Sequence, residues 1–369
     1  MLRDTMKKLS PQQLDDLATD LNAIRDQARA DIGQYDADYI MRMVRLQRIL
    51  EISARLLMPL GFFTPWLWLL AVLVLAVAKI IDNMEIGHNV LHGQYDWMNH
   101  PSINSKDYEW DIACDGKSWV RTHNVEHHSY TNIIGKDRDF GYGLLRMSDD
   151  FRWRIKNTWQ LITYINLSLL FEWGVAYHEL AGERVFFGRK RKNADNSADH
   201  SALKKAFFSK AARQIFKDYI FFPLICWPVA LPVLLGNLCA NVLRNLWTST
   251  VIFCGHFTEE VHTFSEAECQ GESQGHWYYR QILGSSNFTG ARWLHIMSGH
   301  LSCQIEHHLF PDIPAHRYVV MSQQVKVVAK KYNIPYNQGS FIKQYSTVLK
   351  RIFKYSLPTK AEAGMQLSS

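Results

Sequence analysis

The chemistry-bearing residues of this sequence are its histidines. Sixteen are present, and seven of them fall in three tight clusters. His88 and His92 stand in Gly-His-Asn-Val-Leu-His. His123, His127 and His128 stand in Thr-His-Asn-Val-Glu-His-His, and His307 and His308 in Gln-Ile-Glu-His-His-Leu-Phe-Pro, preceded by Gln304. Residues four apart on a helix share one face at about 5–6 Å between Cβ atoms, so His88 with His92, or His123 with His127, can turn two imidazoles toward one metal. Adjacent histidines point about 100° apart around a helix, so His127–His128 and His307–His308 each suit two different metals. That is the demand of a dinuclear site. Imidazole suits iron, zinc, copper and nickel alike, and spacing does not choose among them. A lone His-x-x-x-His is more often a pair of satisfied core histidines. Seven buried imidazoles without a shared cation would leave many ring nitrogens wanting partners.

Carboxylates lie close by. Asp82, Glu85, Glu126 and Glu306 are placed to accept ring N–H bonds and so fix the histidine tautomers, or else are ordinary helix-surface charge; Asp107, Glu109 and Asp111 around Trp110 carry the same two readings. No catalytic side chain beyond the metal ligands is expected. The six cysteines form no C-x-x-C pair, which excludes a zinc ribbon and a disulfide framework. Gly141-Tyr-Gly143 has Arg146 where a dinucleotide fingerprint needs its third glycine, so it reads as a turn.

The elements that must position the histidines are apolar runs. Between Trp66 and Ala78 thirteen apolar residues follow one another, and Pro65 is suited to the first helical position. A span needs about 20 residues, so a helix from Pro65 to about Gly87 crosses a bilayer and delivers Asp82, Glu85 and His88 to its far surface. The preceding segment, Ile49 to Phe63, carries Glu51 and Arg55 and reads as a partial span. Tyr219–Leu235 and Leu238–Phe253 read as a second apolar pair turning at Gly236-Asn237 and returning the chain at His256. Trp159–Tyr177 reads as interfacial or re-entrant. The predicted fold is all-α and polytopic, with about four transmembrane helices in two hairpins and a helical cytosolic cap holding the metal site.

Composition supports this. Aromatic content is 13% with twelve Trp, yet the mean hydropathy of -0.19 requires a sizeable polar part in water. Ser10 and Pro11 read as a helix cap and first turn, with Leu14, Leu17, Leu21 and Ile24 at helical spacing beyond. Net charge is +6, concentrated between Arg184 and Lys217 and including Arg189, Lys190, Arg191 and Lys192; the run reads as a loop near anionic headgroups, and no aromatic interleaving suggests nucleic acid. The polar start lacks a cleavable signal. The expectation is one domain, 1–369, with an amphipathic cytosolic segment over 1–48 and a frayed tail over 359–369, an integral membrane protein with its active site and both termini cytoplasmic.

The three clusters, in this order and setting, resemble the boxes of the membrane fatty-acid desaturase family, H-x-(3–4)-H, H-x-(2–3)-H-H and (H/Q)-x-x-H-H. The resemblance runs from about Lys79 to Tyr332. Asn-Met-Glu-Ile-Gly-His-Asn-Val and Val-Ile-Phe-Cys-Gly-His-Phe resemble bacterial acyl-CoA desaturases of the stearoyl-CoA delta-9 type. It implies that His88, His92, His123, His127, His128, His307 and His308 ligate two iron ions, and that His256, after the last span, is a further ligand. An Asn four residues before that histidine in animal members is Ile252 here. Gln304 begins the third box in place of His, so one iron takes an amide oxygen, a water, or a substitute among His262, His295 and His300; the preferred reading of these three places them behind the ligands or at the surface. The implied reaction is oxygen-dependent insertion of a cis double bond, delta-9 favoured, into a long-chain acyl-CoA or acyl-lipid, an oxidation of paired donors with reduction of O2 to water. With no nucleotide fingerprint and no His-Pro-Gly-Gly haem motif, electrons must come from a separate ferredoxin or NADPH-linked flavoprotein reductase.

Three other readings share some of these features. A hydroxylase or alkane monooxygenase of the same membrane family would carry the same boxes. A ferritin-like carboxylate protein is suggested by Glu85-x-x-His88 and Glu259-x-x-His262, but leaves the other six box histidines idle. A metal transporter or sensor would place ionisable groups near the bilayer midplane, whereas these gather beyond the helix ends.

Overall fold

A computed structural model describes residues 9–188 and 200–359. The basic run Arg189–Lys192 and nearly all of the tail after Pro358 lie outside the described residues.

The amino-terminal helix Pro11–Ala30 begins as expected, with Ser10 accepting from the Gln13 N–H in a capping box. Its Leu17, Leu21 and Ile24 are buried, packed in one cluster with Ile282, Ile305, Leu309, Phe310 and Val325. A helix amphipathic in sequence thus closes the core behind the third histidine box.

A hairpin follows, Gln34–Leu60 and Pro65–Ile80. Its turn requires Gly61, because a Cβ there would lie 2.5 Å from the Trp68 Cβ. The second limb continues without a break through a π-helical stretch, Ile81–His88, and Asn89–Leu91. Among the described residues two helical stretches are long and apolar enough to cross a membrane, Pro65–Leu91 and Trp227–His256. The first limb, Gln34–Leu60, contains Arg42, Arg45, Arg48, Glu51 and Arg55. A four-span count therefore does not follow from these helices.

The second reversal is not at Gly236-Asn237. Ala230–His256 is one helix through both residues, and the chain turns at Cys226–Val229, where Trp227-Pro228 interrupts the backbone ladder. Gly236 serves close packing instead, since a Cβ would stand 2.5 Å from Met58 Sδ. Asn237 accepts from Arg55 Nη1 at 2.6 Å and donates to the Asp218 carbonyl at 2.6 Å. The sequence signal for a turn was the signature of a helix crossing.

Both spanning stretches start at the same end, where Trp68 Nε1 donates to the Pro232 carbonyl at 2.8 Å and Phe62, Phe63, Trp66, Trp227 and Leu231 are exposed. Both finish at the histidines. Between them lies a buried ionic cluster in which Lys79 Nζ is 2.9 Å from Asp111 and 2.8 Å from Asp218, while Arg55 is 3.0 Å from Asp218. Gln160–Leu169 and Phe171–Glu179, separated at the exposed Leu170, bury Tyr164, Leu167, Phe171 and Val175 and expose Ile162 and Ile165, with Trp159 exposed just before them. A two-stranded parallel pair, Asn287–Thr289 with Gln338–Ser340, is a small departure from an all-α fold.

Candidate metal centre

Two of the histidine boxes sit on π-helical turns, not the α-helical turns that their spacing suggests. The first spans Ile81–His88 and the second Val120–His127. Such turns are rare and gather at functional sites. Gly87 makes the first one possible, since a Cβ there would meet the Asp82 carbonyl and Trp110 Cβ, each at 2.9 Å. The second follows the cap of Asp115 on the Ser118 N–H at 2.9 Å. The third box is a six-residue helix, Gln304–Leu309, whose Ile305 N–H donates to Asn287 Oδ1 at 2.9 Å. His256 is the last residue of its long helix.

These four elements bring the eight box-type histidines together as two neighbouring groups. The ligand atoms of His88, His92, His123 and His307 lie within 4.8 Å of one another, and so do those of His127, His256 and His308. His307 and His308 diverge as neighbours must, their ring planes 87° apart, and enter different groups. His128 lies between the groups, stacked on His308 at 4.4 Å between ring centroids and 4.8 Å from both His92 and His307.

The outward ring nitrogens are held by protein. His123 Nδ1 is 3.1 Å from Asp139 Oδ2, His127 Nδ1 3.0 Å from Asp137 Oδ1, and His308 Nδ1 3.1 Å from Gln281 Oε1. His88 Nδ1 lies 3.2 Å from Asn89 Oδ1. Others have no such partner: His92 Nε2, His123 Nε2, His127 Nε2, both nitrogens of His128 and His307, His256 Nδ1 and Gln304 Oε1 are buried without a hydrogen-bond partner. Burial holds the pKa of His92, His128, His307 and His308 well below the ordinary imidazole value, with neighbouring imidazoles adding to the effect. For His127, burial also opposes the charged form, but the Asp137 and Asp139 carboxylates outweigh it and raise the pKa. Orphaned imidazole nitrogens, with the rings of His123, His127 and His308 fixed from outside by acceptors, are a donor set that suits a transition metal. The residues fit such an ion.

Gln304 stands where the box pattern puts it, with Nε2 at 3.0 Å from His256 Nε2. His262, His295 and His300 belong to neither group. His295 faces Ser302 Oγ at 2.7 Å, and His300 Nδ1 is 3.0 Å from Glu85 Oε2. Glu85 therefore does not back a box imidazole; its other oxygen accepts from Tyr39 at 2.5 Å. Asp82 accepts from the Asp111 N–H at 2.8 Å, and Glu306 from Asn287 and Tyr336. The wide turn of the first box swings its carboxylates to the far side. Asp137 and Asp139 do this work, and sequence reading missed them; the only signal was an Asp-Arg-Asp a few residues past the second box.

Beside the first group and His256 lies a cavity. Trp110, Trp119, Phe140, Tyr142, Phe171, Val175, Ile252 and Phe257 wall it, and His88, His123, His127, His256 and Gln304 line its metal side. The fatty acid desaturase family model matches residues 63–340, which contain all four elements of the centre. The chain belongs to the fatty acid desaturase family. It is 45% identical over 361 residues to the NADPH-dependent stearoyl-CoA 9-desaturase of Mycobacterium tuberculosis, covering 97% of this chain and 83% of that protein. It is also 24% identical over 280 residues to the sn-1 linoleoyl-lipid 6-desaturase of Synechocystis, covering 73% and 74% of the two chains, and 28% identical over 227 residues to a Delta(8)-fatty-acid desaturase of Euglena gracilis, covering 59% and 51%. This desaturase is accordingly an oxidoreductase of fatty acyl chains, and a mostly apolar cavity beside a polar centre suits such a substrate.

Proposed function

We propose that the two histidine groups hold two iron ions and that the desaturase inserts a cis double bond at the delta-9 position of a long-chain acyl-CoA of the stearoyl type. The observation that carries the reading is the pair of neighbouring groups of imidazoles, in which His92, His123, His307, His127 and His256 each keep a buried ring nitrogen without a hydrogen-bond partner. In the first group His88, His92, His123 and His307 are the ligands. His127, His256 and His308 ligate in the second, with His128 facing both and Gln304 beside His256. The substrate and position rest on the Mycobacterium relative.

Two irons, when bound, supply with O2 the oxidant that side-chain acid–base chemistry lacks for an unactivated methylene C–H bond. The chain's own residues do the rest. Asp137 and Asp139 hold the Nδ1 protons of His127 and His123, which fixes the lone pairs of Nε2 inward. The aromatic wall excludes water and confines the acyl tail, so that one pair of carbons faces the histidines. Electrons come from outside the chain, from a ferredoxin or flavoprotein reductase linked to NADPH, the reductant in the relative's name. Membrane lipid surrounds the hairpins of a single domain, with the histidine ends of both spanning stretches on the cytoplasmic side of a bacterial inner membrane.

Expression in a host lacking unsaturated fatty acids, followed by double-bond mapping, tests the reaction. A 9,10-olefin on C18 chains is expected. A hydroxylated product, or an olefin at another carbon, would overturn the assignment.

A further inference from the structure

His178 belongs to no histidine box and lies 39 residues beyond Asp139, yet its Nε2 is 3.1 Å from Asp139 Oδ1. The other oxygen of the same carboxylate is 3.1 Å from His123 Nδ1 and 3.7 Å from His127 Nδ1. Asp139 thus stands among three imidazoles, two of them in the metal groups and one outside. We propose that His178 is a positioning residue for the metal centre, holding Asp139 in the rotamer that aims His123 at its metal; this rests on the di-iron reading above.

The surroundings show a built site. His178 is the penultimate residue of the helix Phe171–Glu179, and its side chain is only 11% exposed. Arg138, next to Asp139 in sequence, donates to the His178 carbonyl at 2.8 Å. Glu179 accepts from the Thr122 hydroxyl, one residue before His123, and its carbonyl accepts from Arg121 at 3.3 Å. The end of one helix therefore grips both the second box and the loop that carries its carboxylates. An Asp side chain has two rotatable bonds and two equivalent oxygens. Bonded only through Oδ2 it could turn away from His123; bonded also through Oδ1 it cannot do so without breaking the His178 contact.

Paired substitutions at His178 separate the hydrogen bond from the bulk. The amide nitrogen of Gln reaches where Nε2 of His lies, and that of Asn does not. Iron-loaded wild type, His178→Gln and His178→Asn would be mixed with excess ferrous or ferric chelator, and iron release followed by absorbance. Release from His178→Asn should be at least tenfold faster than from wild type, in line with the about 10–100-fold loss of metal affinity seen when such outer partners are removed, and His178→Gln should stay within about threefold. Adding His178→Asn to Asp139→Asn should bring no further acceleration, because the partner is already gone. Equal release from Asn variant and wild type would overturn the proposal, as would a Gln variant as fast as Asn, or multiplicative effects with Asp139→Asn. Melting of the iron-free proteins serves as the folding control and should be alike for Gln and Asn. Wild type that takes up no iron would instead sink the di-iron reading itself.

Discussion

The ring orientations of His123 and His127 depend on carboxylates that lie outside the boxes. Asp137 Oδ1 is the partner of His127 Nδ1, and its Oδ2 accepts from the Asn132 N–H at 2.7 Å, so the side chain is fixed from two directions. Asp137→Asn would present an amide donor or a weaker acceptor to the imidazole. It should lower iron affinity about 10–100-fold, measured by competition with a chelator, while leaving helicity unchanged. His127→Ala should go further and abolish desaturation with membrane insertion intact. The histidines themselves were legible as clusters, although the four-residue spacing paired His123 with His127, which enter different groups. Asp137 and Asp139 were not: they reach the box through a loop with Asn132 at φ 56° and Gly135 at φ 87°, a path that no periodicity encodes.

At the scale of elements, two close approaches set the geometry. Gly87 lets Trp110 lie against the first box, and Gly87→Ala should cost about 1–3 kcal/mol by overpacking and loosen iron, detected as a lower melting temperature of the iron-loaded protein in detergent. The ionic cluster of Lys79, Arg55, Asp111 and Asp218 joins the two hairpins inside the fold. Such a cluster is tolerated only when complete. Asp218→Ala leaves Lys79 with Asp111 and Arg55 with only the more distant Glu51, and should destabilise by about 3–5 kcal/mol, read from denaturation of the detergent-solubilised protein. The helix from Pro65 was readable because proline and thirteen apolar residues leave few alternatives. The turn at Cys226–Val229 was not, because Gly236-Asn237 looks the same in sequence whether it bends the chain or lets Met58 and Arg55 approach a straight helix.

Across the whole molecule, the site is a meeting of distant parts. Each spanning stretch is the second limb of its reversal, so both run from the exposed aromatic end toward the centre, and His88, His92 and His256 arrive on one side. The third box comes from the cap, backed by the amino-terminal helix through Leu17 and Leu21. Leu21→Ala, far from any histidine, should cost about 2–5 kcal/mol and speed iron release as the cap loosens. The helical character and the histidine-bearing ends were visible in the apolar runs, and the convergence of the boxes was implied by their number. What sequence could not state was the division of labour, since which ring joins which group depends on π-turns that alter the pitch by a fraction of a residue.

The most direct test of the dinuclear centre is anomalous X-ray diffraction at the iron edge from the iron-loaded protein. Two separate peaks are expected, one enclosed by His88, His92, His123 and His307 and the other by His127, His256 and His308. A single peak, or peaks away from both sets of imidazoles, would contradict it.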